Sequence, residues 1–237
     1  MAAATPPLRP RNDLGQYDDL AGEWWAQRGQ FAALHWLAEA RGALLPPPRD
    51  GHVLVDVACG GGLLAPYAVG YRHIGVDITD SALRIARSHG VEPVRGDAGR
   101  LPLRDSCADV VVAGEVLEHV GDFDAVVAEL ARVLKPGGTL VVDTIADTRF
   151  ARIALVVIGE RLPGGPPRHI HDPKLFVSPP RLVELCAAHG IALELRGLRP
   201  HPGDYVRWLL GRRTAVRMVP VRSTAGVFQA HGVKAAQ

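Results

Sequence analysis

The stretch HVLVDVACGGG, residues 52–62, decides the fold of this chain. Its first six residues form a mostly apolar run, which predicts a strand buried on both faces of a sheet. Gly60, Gly61 and Gly62 follow and turn the chain into a helical pattern. Ligands bind at such turns in parallel sheets, because backbone N–H groups there can receive a polar or anionic group.

Strand and helix patterns alternate along the residues that follow. Further strand-like runs occur at 73–77 (HIGVD), 92–97 (EPVRGD), 108–115 (ADVVVAGE) and 139–144 (TLVVDT), with helical patterns such as 123–134 between them. Right-handed crossovers then give a doubly wound, Rossmann-like α/β sheet that is mostly parallel. Two later runs, 191–197 and 223–230, bring the predicted sheet to seven strands.

The length of 237 residues favours one domain with accessory segments. Residues 1–16 are polar and contain several prolines, so we expect a flexible arm, and residues 17–237 form the single domain. Within it, residues 17–45 predict N-terminal helices, which the prolines at 46–48 terminate. Residues 148–175 break the alternation and are rich in Gly, Pro and His. They predict an insertion after the fifth strand that serves as a lid.

The formal net charge of +2 hides an uneven distribution. Residues 1–147 carry 13 basic and 20 acidic side chains, whereas residues 148–222 carry 13 basic and 5 acidic ones. The balanced total gives no indication of a nucleic-acid partner. Three cysteines without CxxC spacing argue against a disulfide framework. No signal peptide and no membrane-length apolar stretch is found, so we expect a cytoplasmic protein.

Acidic residues lie at the ends of three successive predicted strands. Asp77 ends the second strand, where a carboxylate can accept from both ribose hydroxyls, and Asp97 ends the third, where an adenine amino group can be bound. Asp56, just before the glycines, would repel a pyrophosphate but accept from an ammonium. The set therefore predicts S-adenosylmethionine (SAM), which has no phosphate. A nicotinamide dinucleotide, and with it an oxidoreductase, is the competing interpretation.

These motifs resemble those of the class I SAM-dependent methyltransferases. VDVACGGG (55–62), GVD (75–77), GDAGRLPL (96–103) and LKPGGTLVVDT (134–144) are similar to motifs of that class. The flanking segments resemble a narrower family, the ubiquinone-biosynthesis O-methyltransferases, which act on polyprenylated phenols and catechols. These segments are YDDLAGEWWAQRGQFAALHWL (17–37), GEVLEHV (114–120) and HDPKLFVSPPRLVEL (171–185).

The resemblance implies a set of cofactor contacts. By counting from Phe31, the family's N-terminal cofactor-contacting arginine falls on Arg41, whose guanidinium can pair with the methionyl carboxylate. The alternative for Arg41 is a solvated helix end. Ala58 stands where the family usually has glycine, and a negative φ would tolerate it. The expected cofactor-binding residues are Arg41, Asp56, Ala58, Gly60, Gly62, Asp77, Ile78, Asp97, Ala98 and Gly114.

The end of the fourth strand carries groups suited to the chemistry of methyl transfer. A phenolic acceptor, with a pKa near ~10 by analogy with tyrosine, must lose its proton to a general base or with the help of a metal ion. In the ubiquinone family the residues matching Glu115, Glu118 and His119 bind a divalent cation, Mg or Zn by donor chemistry. The alternative is that Glu118 and His119 order the loop while Glu115 contacts the cofactor. The candidate catalytic residues are His119, Glu115 and His171.

The segment FARIALVVIG (150–159) is apolar on most sides and is flanked by Arg149, Arg152, Arg161 and Arg168. Two interpretations compete: a buried helix, or a lid that lies on an anionic membrane. The resemblance favours the second, with the protein peripheral on the inner face of the membrane.

The expected function is SAM-dependent O-methylation of a phenolic or catechol-type hydroxyl, on a lipophilic precursor of an isoprenoid quinone. Two alternatives stay open. One is a methyltransferase of another small molecule, such as a hydroxyaromatic secondary metabolite or a sugar. The other is a non-catalytic SAM-binding regulator.

Overall fold

A computed structural model describes residues 10–236 and contains one eight-stranded sheet. The strands lie in the order β3-β2-β1-β4-β5-β8-β6-β7. β1 to β5 pair in parallel, whereas β8, β6 and β7 pair antiparallel. The strands are β1 (Val53–Val57), β2 (Arg72–Asp77), β3 (Glu92–Arg95), β4 (Ala108–Gly114), β5 (Leu134–Ile145), β6 (Ile191–Pro200), β7 (Met218–Val221) and β8 (Val227–Lys234).

The α/β prediction is confirmed, but the expected number of seven strands is wrong by one. The missed strand, β7, is four residues long and carries Pro220. It lies at the sheet edge, where proline is tolerated because no ladder hydrogen bond is required of its nitrogen. A run that short, with a proline inside it, has no readable period-2 pattern.

Helices cover both faces of the sheet. The α-helices are α1 (Gly15–Asp19), α2 (Ala32–Gly42), α3 (Asp80–Ser88), α4 (Phe123–Val133), α5 (Arg149–Ala151), α6 (Pro179–Ala188) and α7 (Pro202–Leu209). Short 3₁₀ turns occur at Ala21–Glu23, Ala65–Tyr67, Leu117–His119 and Gly159–Arg161, and a π-helix spans Arg152–Ile158. Within residues 10–236, no helix combines the length and apolarity needed to cross a membrane.

Alternate residues of the central strands pack on opposite faces of the sheet, as the period of two requires. Val55 and Val111 lie in the large apolar cluster that includes residues of α4 and α6. Leu54 and Val110 lie in a separate cluster with Leu64. Both faces are buried, which explains why these strands are continuous apolar runs in the sequence.

The N-terminal segment folds over the glycine loop that follows β1. Trp24 stacks on Phe31, with ring centroids 4.3 Å apart, and on Tyr17, at 5.8 Å. The indole of Trp25 donates to the carbonyl of Gly61 at 2.9 Å. Of the arm expected at 1–16, residues 1–9 lie outside the described residues. Residues 17–45 contain the helical elements that the sequence predicts.

The strand order reverses between β1 and β4. Their carboxyl ends diverge there, and the loops that follow them border one crevice, the usual ligand site of an open α/β sheet. The segment 149–171 lies at the same end of the strands. It starts just after the carboxyl end of β5 and returns there, because Val177 forms a bridge with Ala146. The fold therefore brings the glycine loop, the end of β4 and the insertion to one place.

Candidate functional site

The loop after β1 is built from left-handed backbone. Gly60 has φ +51° and Gly62 has φ +77°. Ala58 also has a positive φ, +57°, so the negative φ that would tolerate alanine at this position is not present. Trp24 explains why position 60 needs glycine, since a Cβ there would lie 2.4 Å from the indole ring. The loop thus combines close packing with a conformation that glycine adopts at low cost.

The acids at the strand ends differ in their surroundings. Asp77 is buried and accepts hydrogen bonds from the N–H of Gly60 and of Thr79, each at 2.8 Å. Burial raises the pKa of Asp77, and these N–H donors partly offset the rise. Asp56 is also buried, with Oδ2 3.5 Å from His73 Nε2. Asp97 is exposed and accepts from the N–H of Gly99.

Arg41 is buried at the crevice and is already paired. Its Nε and Nη2 donate to the two carboxylate oxygens of Asp143, both at 2.7 Å. A Cβ on Gly114 would lie 1.9 Å from the guanidinium carbon, so glycine is required there to admit Arg41. Burial lowers the pKa of Arg41, but the Asp143 carboxylate more than offsets this. The solvated helix end considered for Arg41 is wrong.

Sequence reasoning missed Asp143, although a signal existed. It follows the apolar residues Leu140, Val141 and Val142 near the end of β5, as Asp77 follows those of β2. It is therefore a further buried acid beside the crevice. Its partner Arg41 is 102 residues away in the chain, so their pairing could not be read from the sequence.

Four residues converge beyond the end of β4, and we call them the Glu/His cluster: Glu115, Glu118, His119 and His171. Ligand atoms of Glu118, His119 and His171 all lie within 4.8 Å of one another, and the two imidazole centroids are 5.4 Å apart. Glu115 precedes this group with φ +52° and donates its N–H to the Asp143 carbonyl. The resemblance implied Glu115, Glu118 and His119 as the metal ligands. In the structure the third group beside Glu118 and His119 is His171, from the insertion, and Glu115 lies next to these three.

Protonation of the cluster follows from its burial. Burial raises the pKa of Glu118 to about 7, although the Thr144 hydroxyl, which donates to Oε2 at 2.7 Å, lowers it. Burial and the Glu118 charge raise the pKa of Glu115 well above its usual value. Burial also lowers the pKa of His119 to about 4. It lowers the pKa of His171 to about 3, and charges on His119 and Arg11 contribute to that decrease. Both imidazoles are therefore neutral at pH 7.

Several polar atoms of the cluster are buried without a hydrogen-bond partner. They are Glu115 Oε1, Glu118 Oε1 and His171 Nδ1. Buried polar atoms are rarely left unpaired in proteins, since each unmade bond costs about 1–3 kcal/mol. Carboxylate oxygens and neutral imidazole nitrogens are also the donors that divalent cations take. The cluster therefore has the composition of a cation site.

One cavity of about 1010 Å³ joins the glycine loop, the strand ends and the cluster. This volume is at the upper end of ordinary ligand pockets, about 300–1,000 Å³. All the expected cofactor-binding residues line it except Gly62, and Glu115, His119 and His171 line it as well. Gly62 packs instead against Ala86 and Val91. The far end of the cavity is lined mostly by the apolar residues Phe150, Ala154, Leu155, Leu162, Tyr205 and Met218.

Comparisons with known proteins agree with this geometry. A family model described as a methyltransferase domain matches residues 55–142. A solved SAM-dependent methyltransferase of Thermotoga maritima, described as a possible histamine N-methyltransferase, has a TM-score of 0.66 at 22% identity, covering 92% of this chain and 96% of that one. The Synechocystis magnesium protoporphyrin IX methyltransferase, solved with S-adenosylhomocysteine, has a TM-score of 0.61 at 16% identity, covering 94% and 95%.

The fold, the matched methyltransferase domain and the curated relatives given next together define a class I SAM-dependent methyltransferase, with SAM as its cofactor. Curated relatives indicate which family within this class the chain belongs to. A ubiquinone biosynthesis O-methyltransferase of Methylobacterium is 32% identical, covering 91% of this chain and 96% of the relative. Another, of Thiobacillus denitrificans, is 32% identical and covers 80% and 87%. The chain belongs to the ubiquinone biosynthesis O-methyltransferase family.

Proposed function

We propose that this protein transfers the methyl group of SAM to a phenolic or catechol hydroxyl of an isoprenoid-quinone precursor. The supporting observation is that one cavity joins the cofactor strand ends, a cluster of proton acceptors and an apolar end. The names of the relatives point to the same reaction. A quinone precursor has both a polar ring, suited to the cluster, and an apolar tail, suited to the far end.

The cofactor is proposed to lie along the strand ends. Asp77 would accept from the ribose hydroxyls, while Asp97 and Ala98 border the adenine and Ile78 packs on it. Asp56 lies nearer the glycine loop, where it would accept from the ammonium. Two of the guanidinium hydrogen bonds of Arg41 go to Asp143, and its remaining N–H groups would bind the methionyl carboxylate.

The methyl transfer itself is a displacement at carbon. An oxygen–carbon bond forms as the sulfur–carbon bond breaks, and S-adenosylhomocysteine leaves. The acceptor must lose its hydroxyl proton, and the neutral imidazole of His119 can take it at Nε2, because Nδ1 bonds to Asn12. A divalent cation held by Glu118, His119 and His171, with Glu115 beside them, would instead lower the pKa of that hydroxyl.

The assay is methyl transfer from labelled SAM to a short-chain prenylated catechol, with and without a chelator. We expect a labelled methyl ether with the full-length protein and its loss in His119→Ala. His231→Ala is the matched control, because His231 lies on β8 outside the cavity. SAM binding without transfer to any phenolic acceptor would favour a SAM-binding regulator. Full activity in the presence of the chelator would exclude a role for the cation in the reaction.

Residues 148–175 are proposed to be a lid that lies on an anionic membrane. Phe150, Ile153 and Val157 are about half exposed or more, and Val206 and Leu210 of the α7 region are exposed as well. Exposed arginines lie near these apolar residues in the sequence: Arg149, Arg152, Arg161, Arg207 and Arg212. Exposed apolar groups interspersed with cations are typical of surfaces that lie in the lipid headgroup region.

Sedimentation with vesicles tests the membrane proposal. We expect binding to phosphatidylglycerol vesicles at low salt, weaker binding at high salt, and loss of binding when Phe150, Ile153 and Val157 are all replaced by serine. Val69→Ser and Val233→Ser make the matched control, since those residues are exposed on other parts of the surface. Equal binding of the triple variant and the control variant would refute the proposal.

A further inference from the structure

Two residues near the start of the described chain tie the Glu/His cluster to the insertion, and we call them the N-terminal strap: Arg11 and Asn12. Arg11 Nη1 donates to the carbonyl of His171 at 2.8 Å and to Glu160 Oε1 at 3.3 Å. The N–H of Asn12 donates to the carbonyl of His169 at 3.0 Å. The strap therefore touches the segment that carries His171 at three points.

The side chain of Asn12 makes two hydrogen bonds to His119, on the other side of the strap. Its Nδ2 donates to the backbone carbonyl of His119 at 3.0 Å, and its Oδ1 lies 2.6 Å from His119 Nδ1. The first contact fixes the orientation of the amide, because a carbonyl oxygen only accepts. Oδ1 must then accept from Nδ1–H, which makes His119 the Nδ1-protonated tautomer with its lone pair on Nε2.

The backbone of Asn12 is held in an uncommon conformation. Its φ is +58°, in the left-handed region that asparagine enters more readily than most residues. Such a residue persists where its neighbours determine its position, and these sites are often functional. Here the neighbours are His119 and His169, from segments that are far apart in the chain.

We propose that Asn12 is a positioning residue for His119. It holds the proton on Nδ1 and so leaves Nε2 free for the acceptor proton or for a cation, in the cluster with Glu118 and His171. The inference rests on the proposed function of that cluster. Groups that orient a metal-bound histidine typically change metal affinity by about 10–100-fold when they are removed.

The tautomer of His119 can be measured directly. Long-range ¹H–¹⁵N NMR on histidine-labelled full-length protein at pH 8 reports which ring nitrogen carries the proton, and the His119 signals are assigned by their loss in His119→Asn. We expect one Nδ1-protonated form in the unsubstituted protein and a mixture of tautomers in Asn12→Ala. Asn12→Asp keeps an oxygen that accepts from Nδ1, so it should restore the single form.

The second readout is Zn²⁺ affinity by calorimetry, where we expect Asn12→Ala to bind about 10–100-fold more weakly. Asp18→Ala is the matched control, because Asp18 accepts from Ser81 and tethers the same segment without touching His119. An Asn12→Ala protein that keeps one Nδ1-protonated tautomer would overturn the proposal, and so would an equal effect of Asp18→Ala. If the unsubstituted protein binds no Zn²⁺, the cation part of the proposed function fails, and the tautomer still decides the role of Asn12.

Discussion

Replacing Asp143 by alanine should destabilise the protein more than almost any other single change near the cavity. The carboxylate is fully buried and accepts two hydrogen bonds at 2.7 Å from Arg41, whose side chain is only 9% exposed. Removing it leaves the buried guanidinium without its bidentate partner, which costs about 3–5 kcal/mol. At about 2–4 °C per kcal/mol for a chain of this length, Tm should fall by roughly 6–20 °C.

Thermal unfolding by circular dichroism measures this change, and two further variants make the result specific. The double variant Arg41→Met, Asp143→Ala should recover part of the loss, because no buried charge then stays unpaired. Glu92→Gln breaks the exposed pair with Arg72 and should leave Tm unchanged within error, since water screens that pair. Asp143→Ala that melts within about 2 °C of the unsubstituted protein would refute the reasoning.

The same variant tests the proposed role of Arg41 in binding the cofactor. Without Asp143, the guanidinium has lost its bidentate partner, and the methionyl carboxylate could take that place. Saturating SAM should therefore raise the Tm of Asp143→Ala by more degrees than it raises that of the unsubstituted protein. An equal or smaller increase would mean that the carboxylate of SAM does not reach Arg41.

Three further predictions concern the sheet and the loop after β1. Ala58→Gly should stabilise the protein by up to ~1.5 kcal/mol in urea unfolding, because the left-handed conformation costs alanine about 1–2 kcal/mol and glycine loses about 0.5–1 kcal/mol in chain entropy. A loss of stability would contradict this. Gly60→Ala places a Cβ 2.4 Å from Trp24, so the loop must shift away from the position in which it would bind SAM. If this strain is about 1.4 kcal/mol, the SAM affinity measured by calorimetry should fall about tenfold. An unchanged affinity would contradict this prediction. Burial raises the pKa of Asp109, but Lys135 and the N–H of Val53 more than offset this and lower it. The carboxylate therefore stabilises the fold above its usual pKa of about 3.9, and this stabilisation is lost as the pH falls through the lowered pKa. Asp109→Asn should be less stable than the unsubstituted protein at pH 7, and the difference should shrink steadily as the pH falls below about 3.9; a difference of constant size over the acid range would exclude the ion pair as its cause.

The parallel half of the sheet and the positions of the acids at its strand ends were predictable because their signals are local. A continuous apolar run in the sequence predicts each strand, and the acids Asp56 and Asp77 lie in or at the ends of such runs. The carboxyl ends of parallel strands lie at one edge of the sheet, so residues at the ends of successive strands come close together in space. The antiparallel half was less clear, since β7 is short and β8 begins four residues later than the predicted strand.

The details of the loop were not predictable in the same way. Ala58 has a positive φ in a loop whose glycines lie against Trp24, and the sequence around position 58 contains neither the backbone angle nor that packing. Likewise, Arg41 was expected to be free for a carboxylate of the ligand. Its pairing with Asp143 depends on the approach of α2 to β5, which Gly114 permits by having no side chain.

Sequence by itself determined the fold class and the position of the glycine loop after β1, because both are encoded in contiguous residues whose period or motif can be recognised without their neighbours in space. Only the tertiary structure decided that His171 joins Glu118 and His119, and that Asn12 bonds to His119 across 107 residues of chain. These contacts are set by the burial of the insertion and of the N-terminal segment against the sheet. Side chains brought together by packing leave no period in the sequence, since many different chain lengths between them would give the same contact.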